Sequence, residues 1–183
     1  MRIIAGTARS RTIETPKGRD TRPTLDRVRE NLFNILMRRV PGARVLDLFA
    51  GSGALSFEAL SRGAAFAVLA DRDRAAHLAE CRNAERLGFG KQTRILHCEW
   101  QRAVQTLRAA DERFDLVFLD PPYAMNDLCA VTEALLPLLE EDALVVCEHE
   151  GGKPCRVTDA LEETDSRRWG FVGITMYSRR EEP

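Results

Sequence analysis

The chain has 183 residues, of which 44% are hydrophobic and 30% are charged, and its formal net charge is −1 at pH 7. This length suffices for one well-buried core and is short for two, so we expect a single globular domain. The five cysteines are an odd number without a Cys-x-x-Cys pair, which argues against a disulfide framework and a metal site. Neither a signal peptide nor a bilayer-spanning apolar run is visible, so we expect a cytoplasmic monomer with no membrane partner.

The charge is distributed unevenly along the chain. Residues 1–40 contain ten Lys and Arg and four acidic residues, a net charge of +6. The remaining residues contain 17 basic and 24 acidic side chains, a net charge of −7. A basic segment on an acidic body is typical of proteins that contact nucleic-acid phosphates, and an ordinary solvated surface is the alternative.

We expect an N-terminal basic extension over residues 1–23 and the main domain over residues 24–183. Two short extended segments are expected in the extension, around Ile3-Ile4 and Thr12-Ile13. A helix is expected from about Leu25 to Arg39, capped by Thr24. Its buried face is expected to contain Leu25, Val28, Leu32, Ile35 and Leu36.

A glycine-rich turn follows the first predicted strand of the main domain, Val45 to Phe49. Gly51 and Gly53 allow a tight turn into a helix and a close approach of the backbone to a ligand. Ser56 stands where a dinucleotide-binding fingerprint has its third glycine, which weakens an NAD-binding interpretation. Asp47 would repel a pyrophosphate, but it suits a cation or the ammonium group of an amino acid.

The next two strands also end in side chains suited to a nucleoside. Asp71 ends a strand from Phe66 to Ala70, where an acidic residue can hold ribose hydroxyls. Glu99 and Trp100 follow a third strand, Thr93 to Cys98, and offer a carboxylate and a ring to an adenine. An equally supported role for Trp100 is to anchor the following helix in the core.

The fourth strand, Phe114 to Leu119, ends in the tetrapeptide Asp120-Pro121-Pro122-Tyr123. The prolines fix φ and remove two N–H donors, so carbonyl oxygens can face a cleft without a competing donor. Asp120 adds an anionic acceptor, and Tyr123 adds a flat face on which a heterocycle can stack. This corner predicts recognition of a planar group that carries an NH₂. The alternative is a strand that simply ends in a Pro-Pro turn with a capping Asp.

The C-terminal part departs from the alternation of strands and helices. After a fifth strand, Ala143 to Glu148, the segments Val157 to Asp165 and Phe171 to Ser178 read as two strands joined by a polar turn. Helices are expected over residues 54–60, 74–87, 100–110 and 128–139. The sequence therefore predicts an α/β fold with a mostly parallel sheet and a reversed C-terminal strand, which binds ligands at the carboxyl ends of its strands.

Four segments resemble a known family. Residues 47–53 are similar to the first motif of S-adenosylmethionine-dependent methyltransferases, and residues 120–123 to the (Asp/Asn)-Pro-Pro-(Tyr/Phe) motif of those that methylate exocyclic amines. Residues 2–6 and 21–34 narrow the resemblance to the RsmD family, bacterial enzymes that methylate N2 of a guanine in 16S ribosomal RNA. The resemblance covers nearly the whole chain and implies a Rossmann-like class I methyltransferase fold with a short N-terminal β extension.

The resemblance also implies a distribution of roles. The implied catalytic residues are Asp120, Pro121, Pro122 and Tyr123. The implied S-adenosylmethionine contacts are Asp47, Phe49, Ala50, Gly51, Ser52, Gly53, Asp71, Glu99 and Trp100. The implied contacts to the ribosomal RNA of the small subunit are Arg9, Arg11, Arg22, Arg27 and Arg29. Two alternatives remain: an adenine-N6 methyltransferase acting on DNA or RNA, and a non-catalytic RNA-binding module that retains the cofactor fold.

Overall fold

A computed structural model describes residues 1–16, 23–122, 124–125 and 127–180, with the side chains of residues 23–25 excepted. Its helices are α1 (Pro23–Ile35), α2 (Ala54–Ser61), α3 (Arg74–Leu87), α4 (Trp100–Ala109) and α5 (Cys129–Leu135). Its strands are β1 (Arg44–Asp47), β2 (Phe66–Asp71), β3 (Thr93–His97), β4 (Phe114–Leu119), β5 (Leu139–Glu150), β6 (Leu161–Trp169) and β7 (Val172–Arg179). Short 3₁₀ segments lie at Leu36–Arg38, Gly90–Gln92 and Leu136–Leu138.

In the described part of the chain, seven strands form one sheet in the order β3-β2-β1-β4-β5-β7-β6. Strands β1 to β5 run parallel to one another, whereas β7 is antiparallel to both β5 and β6. The predicted α/β fold with one reversed C-terminal strand is confirmed. Strand order reverses beside β1, so β1 and β4 lie at the position where such sheets bind ligands.

Apolar side chains cover both faces of the sheet. On one face α1, α2 and α3 contribute Phe33, Phe57 and Leu87 to a first buried cluster. On the other face α4 and α5 contribute Leu107 and Leu135 to a second. The near-continuous apolar sequences of the central strands follow from this burial on both sides.

The N-terminal segment packs onto the first face, where Ile3 and Ile13 are fully or almost fully buried. Arg2 and Thr12 form an antiparallel bridge within it. The backbone N–H groups of Ile4 and Ala5 donate to the carboxylate of Glu58, at 2.8 and 3.0 Å. A buried acid on α2 thus holds the start of the chain against the main domain.

The elements differ from the predictions mainly at their ends. Helix α1 already begins at Pro23, so the predicted cap at Thr24 is wrong. Ile35 is 41% exposed and lies off the buried face, where Phe33 is buried instead. Strand β5 is longer than predicted, and the C-terminal hairpin is shifted, because its turn lies at Gly170 and Phe171.

Candidate active site

Four acidic side chains stand at the carboxyl ends of adjacent strands, in the order Asp71, Asp47, Asp120 and Glu148 across β2, β1, β4 and β5. Asp47 pairs with Leu69 of β2 and Phe118 of β4, and Asp71 and Asp120 lie two residues further along those strands. Because side chains alternate between faces with period two, all of these acids point to the same face of the sheet. The row therefore brings together Asp47, Asp71 and Asp120, which the sequence analysis named as site residues.

The glycine-rich turn joins this row of acids to α2. Gly53 has φ +75°, and a Cβ at this position would collide with the side chains of Phe57 and Leu69. The N–H of Gly51 donates to Oδ2 of Asp71 at 2.9 Å. The turn therefore needs glycine for conformation and for space, and it fixes the acid that ends β2.

Asp47 is buried, with 1% of its surface exposed, and has one open acceptor. The hydroxyl of Ser56 donates to its Oδ2 at 3.0 Å, while Oδ1 has no hydrogen-bond partner among the described residues. Burial raises the pKa of Asp47 to about 7, and the nearby Asp120 and Asp71 act in the same direction. Ser56, which replaces a fingerprint glycine, thus orients the acid of the first motif.

Glu80 is a member of this acidic group that the sequence analysis missed. It is fully buried on α3, and neither carboxyl oxygen has a hydrogen-bond partner among the described residues. Burial, together with the charges of Asp47 and Asp71, raises its pKa to about 9. The sequence signal that could have indicated its burial is its position on the buried face of α3, which also contains Ala76 and Asn83.

A large cleft of about 820 Å³ opens at the ends of β1 to β4. Of the predicted cofactor contacts, Phe49, Asp71, Glu99 and Trp100 line it. Trp100 is half-buried and packs against the second buried cluster, which agrees with its role as a helix anchor, and its contact with an adenine stays a prediction. Ala50, Gly51, Ser52, Gly53 and Asp47 are not among its lining residues, and they form the turn and the buried row of acids instead.

Asp71 is held in place by backbone donors at the edge of the large cleft. Its Oδ2 accepts from Gly51 and its Oδ1 accepts from the N–H of Asp73 at 2.8 Å, and 8% of the residue is exposed. Because each carboxylate oxygen can accept two hydrogen bonds, both oxygens can still receive ligand hydroxyls. Asp73 itself caps α3, because its side chain accepts hydrogen bonds from the N–H groups of Ala75 and Ala76.

A small cavity of about 200 Å³ lies on the other side of the proline corner. It is lined by Pro121, Pro122, Ala124, Met125, Glu148, His149, Glu150, Lys153 and Cys155. The small cavity and the large cleft share Pro122, Ala124 and Met125, so the two spaces meet at the corner that follows Asp120. The predicted stacking residue, Tyr123, lies outside the described residues.

The predicted RNA-contacting arginines divide into two groups. Arg9 and Arg27 are exposed and line a surface pocket of about 460 Å³. Arg11 is exposed, and its guanidinium donates to the carbonyls of Arg86 and Leu87 at the end of α3.

Arg29 does not belong with these exposed side chains. It is only 4% exposed, and it donates to the carbonyl of Arg2 and, at 3.1 Å, to Asp26. The prediction that Arg29 contacts RNA is wrong, because a buried guanidinium with these partners cannot reach a phosphate. Arg22 lies outside the described residues.

Two negative findings apply to the described ranges. Within them, no group of three or more His, Cys, Asp or Glu side chains could hold a metal ion. The helices there are also too short or too polar for any of them to traverse a lipid bilayer.

Comparison with known proteins gives consistent matches over most of the chain. The family described as Conserved hypothetical protein 95 matches residues 1–178. Ribosomal RNA small subunit methyltransferase D of Escherichia coli K12 is 39% identical over 82% of this chain and 75% of its own length. The protein of the same name from Haemophilus influenzae is 33% identical over 97% of this chain and 93% of its own.

Solved structures match equally well. The structure of a methyltransferase named yhhF from Escherichia coli has a TM-score of 0.83 at 35% identity, and the match covers 100% of this chain and 99% of that one. The structure of a hypothetical protein from Thermus thermophilus has a TM-score of 0.81 at 32% identity, covering 97% and 99%. These matches extend over the large cleft, the small cavity and the N-terminal segment.

Proposed function

This chain belongs to the Conserved hypothetical protein 95 family, the RsmD family, and we propose that it transfers a methyl group from S-adenosylmethionine to N2 of a guanine in small-subunit ribosomal RNA. The observation that carries the proposal is the meeting of the large cleft and the small cavity at Pro122. One space suits a nucleoside cofactor and the other suits a flat base. Asp120 stands directly before their junction.

The large cleft offers groups that match each part of the proposed cofactor. Asp71, oriented by two backbone donors, is placed to accept hydrogen bonds from ribose hydroxyls. Phe49 and the half-buried Trp100 offer apolar faces to the adenine, and the exposed Glu99 offers an acceptor to its amino group. When bound, S-adenosylmethionine supplies a sulfonium methyl group that is already electrophilic.

Asp47 and Glu80 are two buried carboxyl groups behind the glycine-rich turn that would become charged when a cationic ligand binds beside them. Both carry acceptor oxygens without hydrogen-bond partners among the described residues, and both have raised pKa values. A cationic ligand nearby would stabilise the charged forms of these acids. This fits the positive charge of the proposed cofactor, whereas a pyrophosphate would be repelled.

The proline corner would act on the amine that receives the methyl group. The lone pair of guanine N2 is delocalised into the ring, which makes the amine a poor nucleophile. Hydrogen bonds from the NH₂ to Asp120 and to the Pro121 carbonyl favour a more pyramidal nitrogen. They strengthen as positive charge develops on it, which stabilises the transition state more than the ground state.

Alignment of the reacting atoms would also contribute to the rate of methyl transfer. Methyl transfer requires the amine nitrogen, the methyl carbon and the sulfur to lie in line, and positioning of this kind contributes up to about 7–11 kcal/mol in favourable cases. Pro122 and Met125 line both spaces and would form the wall between the two ligands. Tyr123 is proposed to stack on the target base once it has left its own stack.

The RNA partner is proposed to contact the N-terminal segment. Arg9 and Arg11 are exposed on this segment, and Arg27 is exposed on α1, which follows it. Arg22 is proposed with them from the sequence. The start of the segment is attached to α2 through Glu58, which supports a fixed position for it beside the main domain. Phosphate contacts by these arginines would give binding that weakens with salt.

The decisive experiment replaces Asp120. Small ribosomal subunits from cells that lack the protein are incubated with methyl-labelled cofactor and either wild type or Asp120→Ala. Loss of the Asp120 acceptor should lower turnover at least about 100-fold, as removal of a preorganised hydrogen-bonding group does, while calorimetry shows cofactor affinity largely unchanged. Asp142→Ala, an exposed acid on β5, is the matched control and should retain activity. Undiminished turnover in Asp120→Ala would refute the role of Asp120.

Nucleoside analysis of the product distinguishes the alternatives. N2-methylguanosine supports the proposal, whereas N6-methyladenosine would keep methyl transfer and replace the base. Cofactor binding without any labelled RNA would instead favour a non-catalytic RNA-binding module.

A further inference from the structure

Glu148 is a second carboxyl group beside Asp120 that the proposed methyl transfer does not yet use. Cys147 of β5 pairs with Leu119 of β4, so Glu148 lies alongside Asp120 on the neighbouring strand. Glu148 lines the small cavity together with Pro121. Glu148 therefore provides an acceptor at the wall of a cavity sized for a base, and Asp120 directly precedes Pro121 in that wall.

The carboxyl of Glu148 has acceptor capacity that the protein does not satisfy. No described residue donates a hydrogen bond to it, although it is largely withdrawn from solvent. Burial and the neighbouring Asp120 raise the pKa of Glu148 to about 8. Because Glu148 is partly buried at the cavity wall and keeps open acceptor oxygens, a ligand that brings N–H groups would fit this arrangement.

Guanine brings two such groups next to each other. Its N1–H and its N2 amine are adjacent donors on one edge, whereas adenine has an acceptor at N1 beside its N6 amine. With the amine on Asp120, guanine therefore presents a donor to the neighbouring carboxyl, and adenine presents a lone pair. One proton held between Glu148 and Asp120 still leaves an acceptor oxygen on Glu148 for N1–H.

We propose that Glu148 accepts a hydrogen bond from N1–H of the target guanine and so selects guanine among the purines that carry an amine. This inference rests on the proposed function and adds the residue that reads the base. In this arrangement Asp120 accepts a hydrogen bond from the reacting amine, and Glu148 accepts one from the adjacent N1–H. A lone pair at that atom would face an acceptor oxygen and be rejected.

The test uses a base that keeps the amine and loses the N1 proton. Small subunits are reconstituted with ribosomal RNA that carries either guanine or 2-aminopurine at the position that the wild type methylates. Wild type should prefer guanine by about 10- to 100-fold in kcat/KM, the range expected for one hydrogen bond to a charged or buried group. In Glu148→Gln the preference should fall to within a few-fold, because the amide can rotate to donate to the bare N1 of 2-aminopurine.

Glu141→Gln, an exposed position on the same strand, is the matched control and should keep the wild-type preference. Wild type that methylates both bases equally would overturn the inference, whether or not the variant folds. A preference that survives in Glu148→Gln would also overturn it and leave the proposed function intact. If wild type methylates no guanine at all, the proposed function itself fails.

Discussion

Two buried glutamates on neighbouring helices, Glu58 on α2 and Glu80 on α3, have opposite surroundings. Glu58 accepts hydrogen bonds from the N–H groups of Ile4 and Ala5 and from the guanidinium of Arg62 at 2.7 Å. Glu80 has no hydrogen-bond partner among the described residues. Both are fully withdrawn from solvent, so only their partners distinguish them.

The difference separates an acid that holds the fold together from acids kept for a ligand. Glu58 attaches the N-terminal segment and balances the buried Arg29, whose Nε lies 3.8 Å from its carboxylate. Glu80, in contrast, lies close enough to Asp47 and Asp71 for mutual repulsion. Burial without partners costs stability, so the cofactor end of the sheet is expected to be the destabilised end of the molecule.

The largest predicted effect is the loss of the Glu58 carboxylate. Glu58→Ala leaves two backbone N–H groups without their acceptor and removes the carboxylate that balances the buried Arg29, and removal of one partner of a buried ion pair typically costs about 3–5 kcal/mol. Urea unfolding at pH 7 measures this loss. Glu85→Ala, an exposed acid on α3, should change the free energy of unfolding by less than about 0.5 kcal/mol. A loss below about 1 kcal/mol in Glu58→Ala would remove the structural role assigned here.

For Glu80, loss of the carboxylate is expected to stabilise the folded protein relative to wild type as the pH rises, which is the opposite of the effect predicted for Glu58. Its pKa is raised from 4.5 to about 9 in the folded protein, so the folded state binds a proton that the unfolded state releases. The stability that this proton contributes is complete below pH 4.5 and is lost as the pH rises towards 9. Between pH 5 and 7, the stability of wild type relative to Glu80→Gln should therefore fall by roughly 2–3 kcal/mol, close to the limit set by about 1.4 kcal/mol per pH unit.

Urea unfolding of wild type and Glu80→Gln at several pH values checks this prediction. The difference between the two proteins isolates Glu80 from the other acids of the row. Glu85→Gln serves as the control and should follow the wild type at every pH. A stability difference that stays constant from about pH 5 to 7 would contradict the raised pKa of Glu80.

The same contrast explains what could be learned from the sequence. Asp71 and Asp120 can be identified from the sequence because each directly follows an apolar strand, and Asp47 because it lies in the end of one; parallel strands bring their carboxyl ends to one edge. Glu80 was missed because a glutamate in a helix is ordinarily solvated, and its position among alanines is a weak signal. The sequence places carboxylates at the site, but it does not show which of them lack donors.

Arg29 shows the converse limit. Its charge suggested a phosphate contact, whereas the structure buries it against acids that are close in sequence, as Asp26 is, or distant, as Glu58 is. A distant partner cannot be read from one sequence, because it depends on how α1 and α2 pack. The predicted bounds of β6 and β7 also differ from the observed ones. Most side chains of β6 are exposed, so its sequence shows little alternation between apolar and polar residues.

The smallest predicted effect concerns the exposed arginines, and it completes the comparison with Arg29. Arg9→Ala together with Arg27→Ala should leave the free energy of unfolding within about 0.5 kcal/mol, because both side chains are exposed. Each lost phosphate contact lowers the slope of log K against log salt by about 0.9, so the double variant should lose nearly 2 from the wild-type slope. Anisotropy titrations of labelled ribosomal RNA between about 50 and 200 mM salt measure it.

Arg108→Ala, which removes an exposed arginine on α4, is the control for general charge loss and should keep the wild-type slope. Arg29→Ala should show the reverse pattern, with a lower free energy of unfolding and an unchanged slope for the protein that remains folded. If the double variant keeps the wild-type slope, Arg9 and Arg27 are ordinary surface. RNA would then have to approach the site from a side other than the segment that Glu58 holds, because the fold fixes these two arginines on that segment and on α1.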